Sequence, residues 1–367
     1  MAAKRNLLHL LHALLLLRQR RRRRRRRMWV KPWIEKRKLK GAYANLLKEL
    51  EDSSEDFRKF VRMDVEAFRE LLEMVAPTIS KQDTKLRRSI CAEERLAITL
   101  RFLATGESFT SLSFQYRVGE RTVSGIVEET CKAIYDALME KHLKHSFSVV
   151  LLGLVGPDYK FLYVDVGTNG RMSDGGVFAQ SSLCRALNAN LLNIPDAATL
   201  PGNDAVQVPY CFVADEAFPL RENIMKPYAR RNMTEEERIF NYRLSRARRV
   251  VENAFGILAN RFRVFLTPIA LSPEKVTNIV LCACALHNFL ITHKSAKHVY
   301  SPPDIIDAEN PVSHTFIPGT WRSSATLPTR NVGRTTNVSI ASKTIRETLK
   351  DYVNSADGAV AWQQDMV

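Results

Sequence analysis

The chain has 367 residues, of which 45% are hydrophobic, so it has room for about two domains and for a sizeable core. Its net charge of +16 is concentrated at one end: residues 1–40 contain 16 lysines and arginines and one acid, and the rest has a net charge of +1 (39 basic minus 38 acidic residues). The six cysteines match no zinc-ligand spacing, so neither structural zinc nor a disulfide framework is expected.

An apolar run and an arginine tract lie near the N-terminus. Leu7–Leu17 is interrupted by two histidines and is too short to span a bilayer. Eight consecutive arginines, Arg20–Arg27, follow it, where a signal peptide would have small residues at a cleavage site. We therefore reject a secretory signal and a membrane anchor, and we expect no membrane association. The tract indicates nuclear localisation or polyanion binding, and residues 1–40 are predicted to be a basic disordered arm.

Residues 41–145 are predicted to be helical, with apolar positions spaced three and four apart. Part of this region follows the plan of a helix-turn-helix module, with a helix ending at Gly106, a short helix over Phe109–Phe114, a turn around Val118–Gly119 and a helix from about Arg121 to Leu138. The N-terminal end of the last helix would present three side chains to DNA: Arg121, Thr122 and Ser124. Three-helix bundles with such turns are common and most bind no DNA, so a purely structural bundle is the alternative.

Residues 146–293 are predicted to form a second, α/β domain. Two apolar runs, Ser146–Val155 and Tyr159–Val166, flank a Gly-Pro-Asp turn and predict a hairpin. The elements expected after it are a polar loop over 167–176, a helix over Val177–Leu192, a strand ending at Asp215, and helices at roughly 234–263 and 273–293. Residues 294–367 are rich in Ser, Thr, Asn and Pro, which predicts a mostly disordered tail.

Two carboxylates in this second domain have the spacing of part of an active site. Asp215 follows the apolar run Cys-Phe-Val-Ala and should lie at the C-terminal tip of a buried strand, where ligand sites of α/β sheets cluster. Glu252 lies 37 positions later on a predicted helix. Two-metal phosphoryl-transfer sites are often built from such a pair and a third carboxylate from an earlier strand, and we find no such strand. Taken singly, Asp215 also fits a turn former and Glu252 an ordinary solvated helix face.

The helix that contains Glu252 has two different faces. An apolar stripe that should pack on the sheet consists of Val251, Phe255, Leu258 and Phe262. Glu252 lies about one hundred degrees from that stripe, on a face that it shares with Arg248, Arg249, Gly256 and Ala259. One acid, two bases and two small residues suit the close approach of a metal-bound phosphate backbone. Asp174, in a Gly-rich loop that begins a helix, fits an N-cap first and an additional carboxylate near the metals second.

Three segments are specific in combination: Val-Ala-Asp-Glu-Ala-Phe-Pro-Leu (213–220), the arginine-rich run Phe-Asn-Tyr-Arg to Asn-Arg-Phe-Arg (240–263), and Leu-His-Asn-Phe-Leu (286–290). Together they resemble the DDE endonuclease domain of PIF/Harbinger transposases, and most closely the domesticated Harbinger transposase-derived nucleases of animals. Residues 101–109 are similar to the helix-turn-helix region of the same family. The resemblance covers about residues 28–293.

The resemblance implies an α/β protein in which an N-terminal helix-turn-helix region precedes an RNase H-like mixed sheet with flanking helices. It also implies DNA as the substrate, nuclear location, a divalent metal (Mg²⁺ or Mn²⁺) and a Myb-like partner protein. By motif, Asp215 matches the second catalytic aspartate, Glu252 matches the catalytic glutamate, and Asp174 matches a further acidic position of the metal site. The residues expected to contact DNA are Arg121, Thr122, Ser124, Arg248 and Arg249.

The sequence departs from the family just before the hairpin. In the family, an Ile-Asp-Gly-type motif on the first strand supplies the first catalytic aspartate. Here Lys-His-Leu-Lys-His (141–145) leads directly into Ser-Phe-Ser-Val-Val, which predicts a deletion at residues 144–146. Since that strand is central in RNase H-like sheets, its loss should leave both the sheet and the metal site incomplete. Asp158 and Asp165 match hairpin positions outside the active site and are not substitutes.

Three hypotheses remain open on the sequence. The first is a metal-dependent DNA endonuclease whose activity is impaired by the missing aspartate. The second is a non-catalytic nuclear DNA- or chromatin-binding protein derived from a transposase, whose basic arm binds phosphates. The third is a splice form or an incomplete gene model of an active nuclease.

Overall fold

The computed structural model describes residues 30–84, 88–138, 150–168, 173–324 and 338–367. The arginine tract and the predicted deletion at residues 144–146 lie outside the described residues. The role of the tract and the deletion therefore stay predictions. The described part is rich in helices and has short strands grouped in small sheets, which confirms the mixed α/β class. An RNase H-like sheet stays a prediction, because the described strands form four separate pairs.

The N-terminal part of the described chain, residues 30–138, consists of helices. They are α1 (Pro32–Glu35), α2 (Arg37–Lys40), a π-helical turn (Tyr43–Leu47), α3 (Lys48–Glu51), α4 (Ser54–Val61), α5 (Val65–Ile79), α6 (Ala92–Thr105), α7 (Phe109–Tyr116) and α8 (Glu120–Leu138). The helices within residues 30–40 differ from the disorder that was predicted for residues 1–40. Arg117 donates hydrogen bonds to the carbonyl oxygens of Trp33 (2.8 Å) and Lys40 (3.1 Å), which attaches α1 and α2 to the end of α7.

The predicted helix-turn-helix bounds agree with the structure to within about two residues. α6 ends at Thr105, and Gly106 has a φ of +70°, a left-handed conformation that favours glycine because it has no Cβ. Ser108 then caps α7 by accepting a hydrogen bond from the Ser111 N–H at 3.2 Å. α8 packs against α5, α6 and α7, so its apolar face lies in the main core.

The strands follow in antiparallel and parallel pairs. The predicted hairpin is present as β1 (Val150–Val155) and β2 (Phe161–Thr168), in antiparallel register. The remaining strands are β3 (Ala198–Leu200) with β4 (Asn203–Val208), antiparallel, and β5 (Phe212–Val213) with β6 (Ile224–Met225), parallel. The single helix predicted over Val177–Leu192 is instead two helices, α9 (Asp174–Gln180) and α10 (Ser182–Asn188). They separate at Ser181, which is extended and whose Oγ caps α10 at the Cys184 N–H (3.1 Å).

Two long helices lie close to the predicted positions. α11 (Glu235–Arg261) begins with a capping box in which Thr234 and Glu237 satisfy each other's backbone N–H groups. α12 (Pro273–Thr292) is long and apolar enough to cross a membrane by length and composition. Two thirds of its apolar window is buried inside the protein, against α8 and β2 among others, which is the behaviour of a core helix.

The motif Leu-His-Asn-Phe-Leu (286–290) fastens α12 to the hairpin. His287 donates a hydrogen bond from Nε2 to the carbonyl oxygen of Tyr159 (2.8 Å), and its Nδ1 accepts one from the Tyr300 hydroxyl (2.9 Å). Asn288 pairs with both the N–H (2.9 Å) and the carbonyl oxygen (2.8 Å) of Phe161. Burial lowers the pKa of His287 to about 4, so the ring is neutral in the folded protein at neutral pH. These two residues therefore have structural roles.

The chain after α12 is folded in its described residues, which differs from the predicted mostly disordered tail. Its elements are α13 (Lys297–Tyr300), β7 (Ala308–Glu309) paired with β8 (Phe316–Ile317), α14 (Trp321–Ser324) and α15 (Ile340–Asn354). The segment has few apolar residues, but they occupy specific places. Trp321 is buried against α11, and Ile345, Leu349 and Val353 of α15 pack on a cluster that contains Tyr228 and Phe240.

Candidate active site

Glu252 is positioned by the packing of α11 on the hairpin. One turn further along α11, the Phe255 ring packs edge-on against Phe161 of β2 at a centroid distance of 5.3 Å. Gly153 of β1 permits this approach, because a Cβ at that position would lie 3.1 Å from the Phe255 ring. The predicted stripe of Phe255, Leu258 and Phe262 thus faces the protein core, and Glu252 is left half-buried at its edge.

Asp215 follows β5, as the sequence predicts, but β5 is shorter and more exposed than expected. The strand has two residues and pairs with β6, and Val213 is 39% exposed. The chain turns directly after it, since Asp215 Oδ1 accepts a hydrogen bond from the Ala217 N–H at 3.0 Å. Asp215 therefore combines the two roles that the sequence left open: it forms the turn and lies at the end of a strand.

Lys226 brings a positive charge to this turn. Its ammonium group donates a hydrogen bond to the Glu216 carbonyl oxygen at 3.1 Å. Burial lowers the pKa of Lys226, and repulsion from Arg346 lowers it further, whereas the nearby Glu216 and Asp215 carboxylates oppose the shift. Lys226 lies only 11 positions after Asp215, but the sequence alone does not indicate this contact.

Asp174 is the first residue of α9 and not its N-cap. The cap is Ser173, whose Oγ accepts a hydrogen bond from the Gly176 N–H at 3.3 Å. The start of α9 lies against the Asp215 turn: a Cβ on Gly175 would be 2.8 Å from the Ala217 carbonyl oxygen. Asp174 and Asp215 therefore belong to two segments in direct contact.

The three candidate carboxylates line one cavity of about 720 Å³, which we call the carboxylate cavity. One wall is formed by all six residues of β1, another by residues 211–215, and a third by α11 with Arg248 and Glu252. A second cavity, of about 950 Å³, shares Asp174, Asp215 and Arg248 with it.

The carboxylates converge on this cavity without forming a metal-ligand set. Within residues 30–84, 88–138, 150–168, 173–324 and 338–367, no group of three or more Asp, Glu, His or Cys side chains is placed to hold a metal ion. Mg²⁺ at phosphoryl-transfer sites is usually held by one or two carboxylates together with waters and substrate phosphates, so a protein-only ligand set is not required. The described arrangement thus brings the sequence-predicted site residues to one cavity but does not form a complete protein ligand set for the metal that the resemblance implies.

Glu252 is held by two arginines. Arg248, one turn before it on α11, donates to Oε1 at 3.2 Å, and Arg322 of α14 donates to Oε2 at 3.0 Å. Arg322 is itself fixed by two hydrogen bonds to the buried Asp307, at 2.8 and 2.6 Å. The hydrogen bond to Asp307, followed by that to Glu252, raises the pKa of Arg322 above its usual value. The carboxylate of Glu252 is therefore neutralised by the chain itself.

The α11 face that the sequence predicted to be open to DNA is covered. Residues 303–324, which we call the strap, lie across it. Trp321 packs on Gly256, where a Cβ would be 2.2 Å from the indole, and its Nε1 donates to Asn253 Oδ1 at 3.0 Å. Gly256 and Ala259, expected on the open face, are buried. Arg249 remains half-buried and donates to Glu309 of the strap at 2.8 Å.

The helix-turn-helix candidates lie on the first turns of α8. Arg121 is exposed, and Thr122 and Ser124 are half-buried. Ser124 accepts a hydrogen bond from Lys275 of α12 at 3.1 Å, so its hydroxyl is already engaged inside the protein. Of the three, Arg121 is the most accessible to a ligand. DNA contact by these residues stays a prediction.

Comparison with known proteins supports the resemblance stated above. Residues 136–288 match the family described as DDE superfamily endonuclease. The curated protein named "Protein ALP1-like", from Arabidopsis thaliana, is 28% identical over 149 residues, which are 40% of this chain and 36% of that protein. The match thus spans about a third of the relative's length. No solved structure matches the chain.

Proposed function

We propose that the chain is a transposase-derived DNA endonuclease of the DDE type, with Asp215 and Glu252 as its catalytic carboxylates. The observation that supports this function is that Asp174, Asp215 and Glu252, which are far apart in sequence, line one cavity inside the DDE endonuclease domain. A phosphodiester group in this cavity would lie between the Asp215 turn and α11. Lys226 and Arg248 supply positive charge on the same two sides.

Members of the DDE endonuclease superfamily generally use divalent metals, so Mg²⁺ or Mn²⁺ is the cofactor that this function requires. The described carboxylates do not form a complete protein ligand set for it. One contact within the protein must break before the reaction can occur. Glu252 has to leave Arg322 before its carboxylate can act in the cavity, because Oε2 accepts the Arg322 hydrogen bond in this structure.

The test is cleavage of supercoiled plasmid DNA by the full chain with Mg²⁺ or Mn²⁺, compared with the Asp215→Ala variant. Asp196→Ala is a matched control, because Asp196 is an exposed aspartate of the same domain that does not line the carboxylate cavity. We expect Asp215→Ala to abolish cleavage and Asp196→Ala to leave it unchanged. Cleavage that persists in Asp215→Ala contradicts the assignment of the site.

A second candidate function is a non-catalytic DNA- or chromatin-binding protein in the nucleus. Two observations favour it: the described carboxylates lack a metal-ligand set, and Glu252 is paired with two arginines. This function predicts salt-sensitive duplex binding without cleavage in either metal. It also leaves the Asp215→Ala variant with the DNA affinity of the unmodified chain. A Myb-like partner protein would be compatible with both functions.

A further inference from the structure

Two guanidinium groups and an imidazole converge on one carboxylate at the edge of the strap. Arg246 Nε and Arg249 Nη2 lie 2.9 and 2.8 Å from Glu309 Oε2, and His314 Nδ1 lies 3.4 Å from Oε1. Burial alone would raise the pKa of Glu309, but the hydrogen bond from Arg249 and the charges of Arg246 and Arg249 lower it overall. Glu309 is therefore an anion in a pocket that contains two guanidinium cations. We call Arg246, Arg249 and His314 the cationic pocket.

The cationic pocket is prepared for an anion independently of Glu309. The His314 ring stacks on Trp362 at 3.7 Å, and the Arg246 guanidinium lies over the same indole at 5.6 Å. The His314 imidazole and the Arg246 guanidinium are thus both held in place by aromatic packing. A cavity of about 290 Å³ adjoins them and is also lined by Glu252 and Arg322. Two guanidinium groups directed at one oxygen are a geometry that binds phosphate oxygens as well as carboxylates.

Glu309 belongs to a segment whose strand pairing is short. β7 and β8 pair through only two residue pairs, Ala308 with Ile317 and Glu309 with Phe316. The same segment contains Arg322, which holds Glu252 at the border of the carboxylate cavity. The strap therefore places a negative charge in the cationic pocket and a positive charge beside the candidate catalytic glutamate.

From these contacts we infer that the cationic pocket is a binding site for a phosphate group of the DNA backbone, and that Glu309 occupies the place of this phosphate when DNA is absent. The inference rests on the proposed function, since it assumes DNA as the ligand. A backbone phosphate entering the pocket displaces Glu309 and with it the β7–β8 hairpin. Arg322 follows Glu309 on the strap, so the same movement releases Glu252 towards the carboxylate cavity.

The test uses the full chain and two variants that each remove one negative charge from the C-terminal region. Glu309→Gln removes the negative charge from the cationic pocket, whereas Asp351→Asn neutralises an exposed aspartate of α15. Duplex affinity is measured by fluorescence anisotropy over a series of salt concentrations. We expect Glu309→Gln to bind roughly three- to tenfold more tightly than Asp351→Asn. The slope of log K against log salt should steepen by about one, the value for one added phosphate contact.

A second pair of measurements identifies the pocket as the cause. The double variant Glu309→Gln/Arg249→Gln should lose the gain in affinity, because it removes one of the two guanidinium donors. Hydrogen exchange of the unmodified chain should become faster in the strap, residues 303–324, when duplex is added. Equal duplex affinities of Glu309→Gln and Asp351→Asn, or a strap whose exchange does not change in saturating duplex, overturn the inference while leaving the proposed function intact.

Failure of the proposed function gives a different result. If no form of the chain binds duplex, DNA is not the ligand, and both the proposed function and the inference as stated are wrong. Calorimetry with inorganic phosphate then shows whether the pocket itself binds phosphate. Phosphate binding by Glu309→Gln but not by Asp351→Asn would support a phosphate pocket that Glu309 occupies. Absence of phosphate binding in both variants would contradict such a pocket.

Discussion

His287 of α12 and Glu252 of α11 belong to neighbouring helices and to two motifs of the same family resemblance, yet their surroundings differ in almost every physical respect. His287 is fully buried, neutral and bonded at both ring nitrogens to groups of the hairpin and α13. Glu252 is about one third exposed, charged, and paired with two arginines. Neutral buried hydrogen bonds are costly to leave unmade, whereas ion pairs near the surface are exchanged for water and salt at little cost.

This comparison separates a permanent part of the fold from a part that can change partners. The hairpin is held to α12 by the fully buried His287 and the half-buried Asn288. The strap is attached to α11 partly by charges that a polyanion or a cation can replace, Arg249 with Glu309 and Glu252 with Arg322. Its other attachments are apolar or neutral: Trp321 is buried on α11, and Asn253 forms buried hydrogen bonds with the Asp307 backbone.

The largest effect is expected for His287→Ala. The change leaves the Tyr300 hydroxyl and the Tyr159 carbonyl oxygen without their partner and opens a void between α12 and the hairpin, so it should cost about 3–4 kcal/mol of unfolding free energy. Urea denaturation followed by circular dichroism measures the loss. His298→Ala, at an exposed position of α13, is the matched control and should change stability by less than about 0.5 kcal/mol. Similar losses in both variants would contradict the locking role of His287.

A pH dependence of comparable size should come from the same residue. The pKa of His287 is about 4 in the folded protein and 6.5 when unperturbed, so between these values the unfolded chain binds the extra proton and the folded chain does not. Stability therefore falls as pH drops from about 6.5 to 4, by up to about 3 kcal/mol, and this contribution is fully present above pH 6.5. Denaturation midpoints across this range test the prediction. His287→Gln should flatten the dependence, and an unchanged slope in that variant assigns it to other groups.

A smaller effect is expected where the strap meets α11. Gly256→Ala places a methyl group where a Cβ would be 2.2 Å from the Trp321 indole, so the indole must leave its site, at a cost of about 2 kcal/mol. Gly125→Ala is the matched control, because no atom lies within 4 Å of its Cβ, and alanine should stabilise α8 there by about 0.5–1 kcal/mol. Tryptophan fluorescence should shift to longer wavelength only in Gly256→Ala. A blue-shifted or unchanged spectrum would show that the strap accommodates the added methyl group without moving away from α11.

The smallest effect is expected for Arg248→Gln. The Arg248–Glu252 pair is partly exposed and spans one helical turn, so its loss should cost less than about 0.5 kcal/mol. Arg69→Gln, which removes a mostly exposed pair with Glu51, should behave in the same way. A loss well above 1 kcal/mol in Arg248→Gln alone would mean that Glu252 belongs to the permanent part of the fold.

Much of this organisation could be predicted from the sequence because its signals are local. Gly106 ends α6 where the sequence predicts a helix end, and the apolar spacing between Arg121 and Leu138 predicts α8 closely. The three cavity-lining carboxylates were found through motifs, since each one alone has a common structural explanation. Lys226 and the exposure of β5 were missed because they depend on what packs beside them.

The strap could not be predicted, since its contacts join positions that are 60 to 70 residues apart, such as Arg249 with Glu309 and Glu252 with Arg322. Its composition is polar, which is also the composition of disordered chain. The fit depends on one tryptophan opposite one glycine and on charges that match only after folding. Neither apolar periodicity nor a local motif records such complementarity.

Lys275 of α12 contacts α8 twice, through the Ser124 hydroxyl at 3.1 Å and the Glu128 carboxylate at 3.0 Å. α8 and α12 also pack along each other in the core, and α12 holds the hairpin that forms one wall of the carboxylate cavity. The first turn of α8 and the cavity are therefore connected through helices and strands that pack in the core. A duplex held at Arg121 would meet the cavity at one set number of base pairs from that contact, so the protein would act as a ruler along DNA.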